Sequence, residues 1–438
     1  MSATKEHGTP AAATPGRPRD KELELLIRKE LRRHRETIQL IAAENITRGR
    51  VLAPLSSVFV CKTAEGAPGS RYHSGCSVAD ELELMAERRA CQLYGAQRAW
   101  LQPLSGSLAN LIVMVSLFRE YLHRPEDVRI LSMGLDQGGH LSHGSRAHIT
   151  GQLFSGLRHY QVDRATGLLD YDDIERTALS YKPQLLICGA SSYPRILDFK
   201  RFGEIAKRCG AVLLADIAHI NGLVVAGVHP SPIPHAHFVT CSTYKAGGPK
   251  GGLILAGEMA TEEQCKMIGK TVFPGIQSTP DFASIAAKAA FFAECMTEEY
   301  RATQRLIVDN AATLASALSS KGFHIATGGT ENHMVLVDVK KSVGLTGKDA
   351  NSRLERCGIN ANKNVLPFDE EKAAVGSGIR LGTNTVSRLG MGAGEMRAIA
   401  DFIEEILKAD PTAAFEARMR RRVKAFMKDH PIDVFLRG

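Results

Sequence analysis

The chain has few aromatic residues, 6% of its length with a single tryptophan, and nowhere an apolar run near the length that spans a bilayer, about 18 residues. No membrane helix is therefore expected, and the N-terminus lacks the charged, apolar, small-residue order of a signal peptide. The nine cysteines stand singly from Cys61 to Cys357 without a C-x-x-C pair, which excludes a zinc ribbon or disulfide framework and favours reduced, mostly buried thiols. No metal site is expected. No G-x-G-x-x-G follows an apolar run and there is no P-loop, so a Rossmann-type or P-loop nucleotide enzyme is the weaker reading. The expected location is the cytoplasm.

What is present is ordinary for a globular protein: 438 residues, 44% hydrophobic and 23% charged, enough for two domains. Of the net charge of +8, much lies at Arg28, Lys29, Arg32, Arg33 and Arg35 and at Arg418, Arg420, Arg421, Arg422 and Lys424. No aromatic platform accompanies these clusters, so they read as solvated helix faces and not as a nucleic-acid surface. Residues 1–19, rich in Ala, Thr, Pro and Gly, have too little apolar surface to offset the entropy of ordering and are expected to be disordered. Leu23, Leu26, Ile27 and Leu31 then recur at helical spacing.

From Leu101 onward, helical stretches alternate with short apolar runs: Arg129–Met133, Leu185–Gly189, Ala211–Ala215 and Phe238–Ser242. That alternation predicts an α/β layer on a mostly parallel sheet. After residue 294 come a long helical stretch, a strand-like run at Met334–Asp338 and a helix with Met396, Ile399, Ile403 and Ile406 on one face. The expected organisation is a tail (1–19), an N-terminal arm (20–71), a large domain (72–293) and a small α+β C-terminal domain (294–438).

In an open α/β sheet the ligand lies beyond the carboxyl ends of the strands. One run ends at Asp216-Ile-Ala-His219, and another ends at Ser242-Thr-Tyr244-Lys245 before the glycine-rich Ala246-Gly-Gly-Pro-Lys-Gly-Gly252. Upstream, Ser105-Gly106-Ser107 opens the apolar helical stretch Leu108–Phe118. An amine, a carboxylate and a phosphate cradle are the parts a pyridoxal phosphate site needs. Lys245 would supply the amine, Asp216 would pair with the ring nitrogen, and Ser105, Gly106 and Ser107 would offer hydroxyls and backbone N–H groups at a helix N-terminus. Pro249-Lys250-Gly251-Gly252 would let backbone approach closely.

From about residue 36 to 408 the sequence resembles serine hydroxymethyltransferase, in Leu40-Ile-Ala-Ala-Glu-Asn45, Ala64-Glu-Gly-Ala-Pro-Gly-Ser-Arg-Tyr72, Gly138-Gly-His-Leu-Ser-His-Gly144, Asp216-Ile-Ala-His-Ile220, Phe273-Pro-Gly-Ile-Gln277, Asn362-Lys-Asn364 and Ser377-Gly-Ile-Arg-Leu-Gly-Thr383. The resemblance implies a fold-type I, aminotransferase-like pyridoxal-phosphate enzyme and a homodimer with shared active sites. It places His140 on the cofactor ring and His219 near the phenolic oxygen, with Ser242 and Thr63 also on the cofactor side. Arg380 would grip the substrate carboxylate, and Glu65, from the other subunit, would assist proton transfer. Tyr72, Leu135, Gly139, Leu141, Asn364 and Phe273 fall where the family contacts the pterin of tetrahydrofolate.

Departures cluster on the amino-acid and phosphate side. Ala43 replaces a serine, Thr63 and His73 replace tyrosines, and Tyr244 replaces the histidine before the lysine. Lys250 stands for an arginine, and Ser278-Thr279 for a Gly-Gly pair. Two activities follow from the resemblance: one-carbon transfer from serine to tetrahydrofolate, or transfer of a glycyl carbanion from threonine or serine to another aldehyde, as in transaldolases. A binding homologue without turnover is the third and weakest reading, since Lys245, Asp216 and Arg380 are all in place.

Overall fold

The structure, a computed structural model, describes residues 20–437. The tail expected over residues 1–19 lies outside them. Helix α1 (Lys21–Glu36) starts at Asp20, whose carboxylate accepts the Leu23 N–H at 3.0 Å. Much of its apolar stripe is left uncovered by the described residues: Leu23, Leu26 and Ile27 are each more than half exposed, while Leu31 is half-buried.

Seven strands form the main sheet: β1 (Arg98–Trp100), β2 (Arg129–Met133), β3 (Gly156–Tyr160), β4 (Leu185–Cys188), β5 (Val212–Asp216), β6 (Phe238–Ser242) and β7 (Gly252–Ala256). Their spatial order is β1-β7-β6-β5-β4-β2-β3. β2 to β6 run parallel, while β7 is antiparallel to both neighbours. Because side chains alternate along a strand, the apolar runs fill two layers. Leu185 and Ile187 join Ile130, Leu214, Phe238 and Ile254 on one face, and Leu186 and Cys188 join Leu131, Leu213, Val239 and Leu253 on the other. Helix α2 (Gly106–Phe118) packs on the first face through Ala109, Ile112 and Val113. Helix α3 (Phe282–Cys295), buried along most of its length, belongs to the second.

A smaller antiparallel sheet contains β8 (His324–Ile325), β9 (Met334–Asp338), β10 (Asn362–Asn364) and β11 (Gly378–Gly382), in the order β8-β9-β11-β10. Helix α4 (Glu298–Ser320) ties the two cores together, with Tyr300 and Ile307 in the first and Ala311, Leu314 and Leu318 in the second. Helix α5 (Ala393–Lys408) buries Met396, Ile399, Ile403 and Ile406 against the small sheet's core, the face its spacing predicts. Ile38 and Leu40 enter the same core, where Ile38–Gln39 pairs in parallel with Ile359–Asn360. Truncating a fully buried side chain such as Ile38 costs about 2–5 kcal/mol. The basic C-terminal cluster is partly ion-paired: Arg418 and Arg422 meet Glu405, and Lys424 meets Glu36. Among the described residues, no helix is long and apolar enough to cross a membrane.

Candidate active site

The carboxyl ends of β4, β5 and β6 lie in register, Cys188 opposite Ala215 and Asp216 opposite Thr240. Beyond them lies an open cleft lined by Ser105, Gly106, Ser107, His140, Ser191, Asp216, His219, Ser242, Tyr244 and Lys245, among others. Eight residues singled out for the cofactor thus meet at one place although they come from four separate segments of chain. Thr63 does not line the cleft, and its side chain is exposed.

Ser105 caps α2, its hydroxyl oxygen accepting the Leu108 N–H at 3.1 Å. The backbone N–H groups of the first turn have no partner within the helix and open onto the cleft with its positive dipole end. Lys245 sits in the loop between β6 and β7, and its Nζ donates to Ser242 Oγ at 3.1 Å. The loop is held from outside. Asn45 Nδ2 donates to the Lys245 carbonyl at 3.1 Å, Tyr300 Oη to the Ala246 carbonyl at 3.0 Å, and Thr47 Oγ1 to the Gly248 carbonyl at 2.9 Å. The N-terminal segment and α4 therefore fix where the lysine stands. Two ammonium groups stand over the Tyr244 ring, Lys245 Nζ 4.8 Å and Lys250 Nζ 4.9 Å from its centroid.

Asp216 is buried, which alone would raise its pKa. Hydrogen bonds and charge from His143, with a further bond from Asn110, overcome that and hold the carboxyl well below the usual range. Oδ2 bonds to His143 Nε2 at 2.9 Å and accepts from Asn110 Nδ2 at 2.8 Å, while Oδ1 accepts the Ala218 N–H at 2.9 Å. Thr240 Oγ1 donates to Asn110 Oδ1 at 2.5 Å, and Asn110 Nδ2 also reaches Ser142 Oγ at 2.8 Å. Ser142 in turn meets His140 Nδ1 through its hydroxyl at 2.7 Å and its N–H at 3.2 Å. Nδ1 of His140 is thus an acceptor, its proton belongs on Nε2, and burial pushes the imidazole down to about 4. One buried chain of bonds sets both the carboxylate and the ring. His140, His143 and Asp216 also bring ligand-type atoms within 4.8 Å of one another. Those groups are engaged in the bonds just described.

His219 stacks on His333, with ring centroids 5.6 Å apart and planes 19° apart. Burial, with Lys245 and Arg380 adding to it, keeps His219 neutral far below the usual histidine range. Arg380 comes from β11 of the small sheet. Its Nε donates to Asn362 Oδ1 at 3.1 Å, and its guanidinium donates to the Ser191 carbonyl at the cleft wall. Burial lowers its pKa to about 10, so it remains a cation at neutral pH.

The pterin-side residues are more dispersed. Gly139 accepts the Ser191 hydroxyl through its carbonyl at 2.7 Å, and Asn364 Nδ2 donates to Ser192 Oγ at 2.8 Å. Leu135 and Leu141 are exposed nearby in sequence, and Tyr72, 79% exposed, faces Phe273 at 6.1 Å between rings. Glu65, Tyr72, His73 and Phe273 do not line the cleft. Glu65 accepts the Ser278 hydroxyl, and Thr279 Oγ1 accepts the Ala64 N–H at 2.9 Å, so the Ser278-Thr279 pair ties down the 63–65 loop of its own chain.

Sequence reasoning missed Asn45 as a brace, and Asn110, Ser142, His143 and Thr240 as the partners of Asp216 and His140. The available signal was an amide alone among apolar residues, Asn110 in Leu108–Phe118.

The donor set fits pyridoxal phosphate: a lysine amine with one hydroxyl partner, a buried carboxylate kept ionised to face a protonated ring nitrogen, and an open helix N-terminus, all bordering one cleft. Sheet and site together define a fold-type I pyridoxal-phosphate enzyme. A family model described as serine hydroxymethyltransferase matches residues 17–403. A serine hydroxymethyltransferase of Nostoc punctiforme is 44% identical over 408 residues, covering 93% of both chains. One of Wolbachia pipientis subsp. Culex pipiens is 43% identical over 417 residues, 94% of this chain and 96% of that relative. The chain belongs to the serine hydroxymethyltransferase family.

Proposed function

We propose that the chain transfers the hydroxymethyl carbon of serine to tetrahydrofolate, giving glycine and methylenetetrahydrofolate. The observation that carries this is Lys245 and the ionised Asp216 on one cleft with the Ser105–Ser107 helix N-terminus. Lys245, Asp216, His140, His219, Ser242 and the 105–107 turn would hold pyridoxal phosphate. When bound, that group supplies an electron sink for the pair released as the Cα–Cβ bond of the substrate breaks.

The protein's own part is to hold and orient. Asp216 keeps a proton on the ring nitrogen, because His143, Asn110 and the Ala218 N–H secure its negative charge. His140, neutral above about pH 4, offers an uncharged flat face. Arg380, braced by Asn362, binds the substrate carboxylate with a planar fork. Lys245, its Nζ held by Ser242 Oγ at the cleft, would anchor the cofactor through its amine and, when free, could hold or return a proton at Nζ.

The active unit in this reading is a homodimer whose second copy brings Thr63, Glu65, Tyr72, His73 and Phe273 to the cleft, with Glu65 moving the proton at the hydroxymethyl oxygen. Support comes from the exposure of Thr63, Tyr72 and His73 and from the uncovered apolar side chains Val58, Val60, Leu23, Leu26 and Ile27. The deciding experiment measures glycine formation from serine and from threonine, each with and without tetrahydrofolate. Serine cleavage strongly accelerated by tetrahydrofolate is expected. Folate-independent cleavage with threonine preferred, and transfer of the glycyl unit to added aldehydes, would overturn this reading in favour of transaldol chemistry.

A further inference from the structure

Lys288 lies in the middle of α3, in the run Ile285-Ala-Ala-Lys-Ala-Ala-Phe-Phe292, and is 1% exposed. Its Nζ donates to three carbonyls, those of Leu101 at 2.5 Å, Gly252 at 2.9 Å and Pro103 at 3.2 Å. Three donors meet three acceptors. Among the described residues no carboxylate pairs with the ammonium: its charge is balanced by the three carbonyl dipoles, with the charge of Asp281 acting from farther away. An ammonium withdrawn from water without a counter-ion is expensive, and an apolar residue would fill this helix position at no such cost.

The carbonyls identify what the charge serves. Leu101 and Pro103 belong to the strand-to-helix connection that ends in Ser105-Gly106-Ser107. Gly252 ends the loop that carries Lys245. The same segments are joined directly where the Gly252 N–H donates to the Pro103 carbonyl at 2.8 Å. The two glycines are required by this approach: a Cβ at Gly251 would fall inside the contact radius of Lys288 Cε, and one at Gly252 inside that of the Ser105 carbonyl.

We infer that Lys288 is a positioning residue for the phosphate end of the cofactor, locking the Ser105–Ser107 helix N-terminus to the Lys245 loop and setting an unpaired buried positive charge behind that N-terminus. The inference rests on the pyridoxal-phosphate reading of the cleft. In the low-dielectric interior such a charge acts on an anion with little screening by salt. Burial pushes the Lys288 ammonium down to about 8, so it is still mostly charged at neutral pH.

The test compares binding of pyridoxal phosphate and of pyridoxal, which lacks the phosphate, to cofactor-stripped full-length wild type and Lys288→Met. Methionine keeps the length and apolar stem and removes the charge and donors. The expected result is a loss of about tenfold or more in affinity for pyridoxal phosphate, with pyridoxal affinity changed much less, and weaker competition by inorganic phosphate. A merely structural lysine would lower unfolding stability and leave the ratio of the two affinities unchanged, which would overturn the inference. If Lys288→Met does not fold, Gly251→Ala carries the test. It keeps the charge but displaces the lysine head, and should shift the same ratio in the same direction; an unchanged ratio there likewise overturns the inference. Failure of the wild type to bind pyridoxal phosphate would instead refute the reading of the cleft.

Discussion

Replacing Asn110 by leucine, which has the same branched heavy-atom skeleton, removes the centre of the buried network while leaving every residue that would touch the cofactor in place. Asp216 loses one of its two side-chain partners, and the Thr240 hydroxyl and Ser142 Oγ each lose the bond to the amide. A hydrogen bond to a charged group is worth about 1.5–3 kcal/mol and a neutral one about 1 kcal/mol, with a further penalty for a buried group left unpaired. The combined loss should be about 3 kcal/mol of unfolding free energy. It is read as a fall in urea midpoint at unchanged slope in the cofactor-free protein. Cofactor binding should weaken as well, because the carboxylate is then oriented by His143 and one backbone N–H alone. Asn110→Asp should be worse, since it buries a second carboxylate beside the first and favours protonation of the pair. A change below about 0.5 kcal/mol for Asn110→Leu, or an Asn110→Asp protein as stable as wild type, would show that the amide does not carry the network.

Asp216→Asn should lose several kcal/mol of transition-state stabilisation in kcat/KM, because an amide cannot hold the ring nitrogen protonated; near-normal turnover would make Asp216 structural only. Acid should destabilise the cofactor-free protein between about pH 6.5 and 3. Burial pushes His140 down to about 4 and His333 to about 3, so in that window the unfolded chain binds protons that the folded one refuses. Stability then falls as pH falls, by several kcal/mol and at most about 8 kcal/mol for the two imidazoles together, and the depressed carboxyl of Asp216 adds in the same direction. Urea midpoints across the range check this, and a flat profile would contradict it.

Much of the sheet was legible because its strands are buried on both faces and read as unbroken apolar runs. Arg129–Met133 and Met334–Asp338 fall where the pattern places them, and the Ala211–Ala215 run is offset by one residue, Asp216 being the last residue of β5 and not the first after it. β1, β3 and β7 left weaker traces. β1 is three residues long, β3 is an edge strand exposing Arg158 and His159, and β7 begins at a glycine in the close approach to Ser105. Lys245, Asp216 and Ser105–Ser107 were legible for a topological reason: polar residues at strand ends and helix starts stand where an open sheet binds its ligand. Asn110 and Lys288 were not, because a polar residue inside an apolar helix leaves the periodicity intact and its partners come from other segments. Thr63, His73 and Glu65 were placed by resemblance alone, and the single chain leaves them outside the cleft.

The central claim is that Lys245 is the amine that carries the cofactor, and two other lysines stand close enough to make the question sharp. Lys250 shares the Tyr244 ring with it, and Lys288 lies buried behind the 105–107 turn. Treating the protein loaded with pyridoxal phosphate with borohydride fixes the cofactor to the lysine that holds it, and peptide mass spectrometry locates the adduct. The account predicts a pyridoxyl group on Lys245 alone, and none in a folded Lys245→Ala protein. An adduct on Lys250 or Lys288, or none in the wild type, would contradict it.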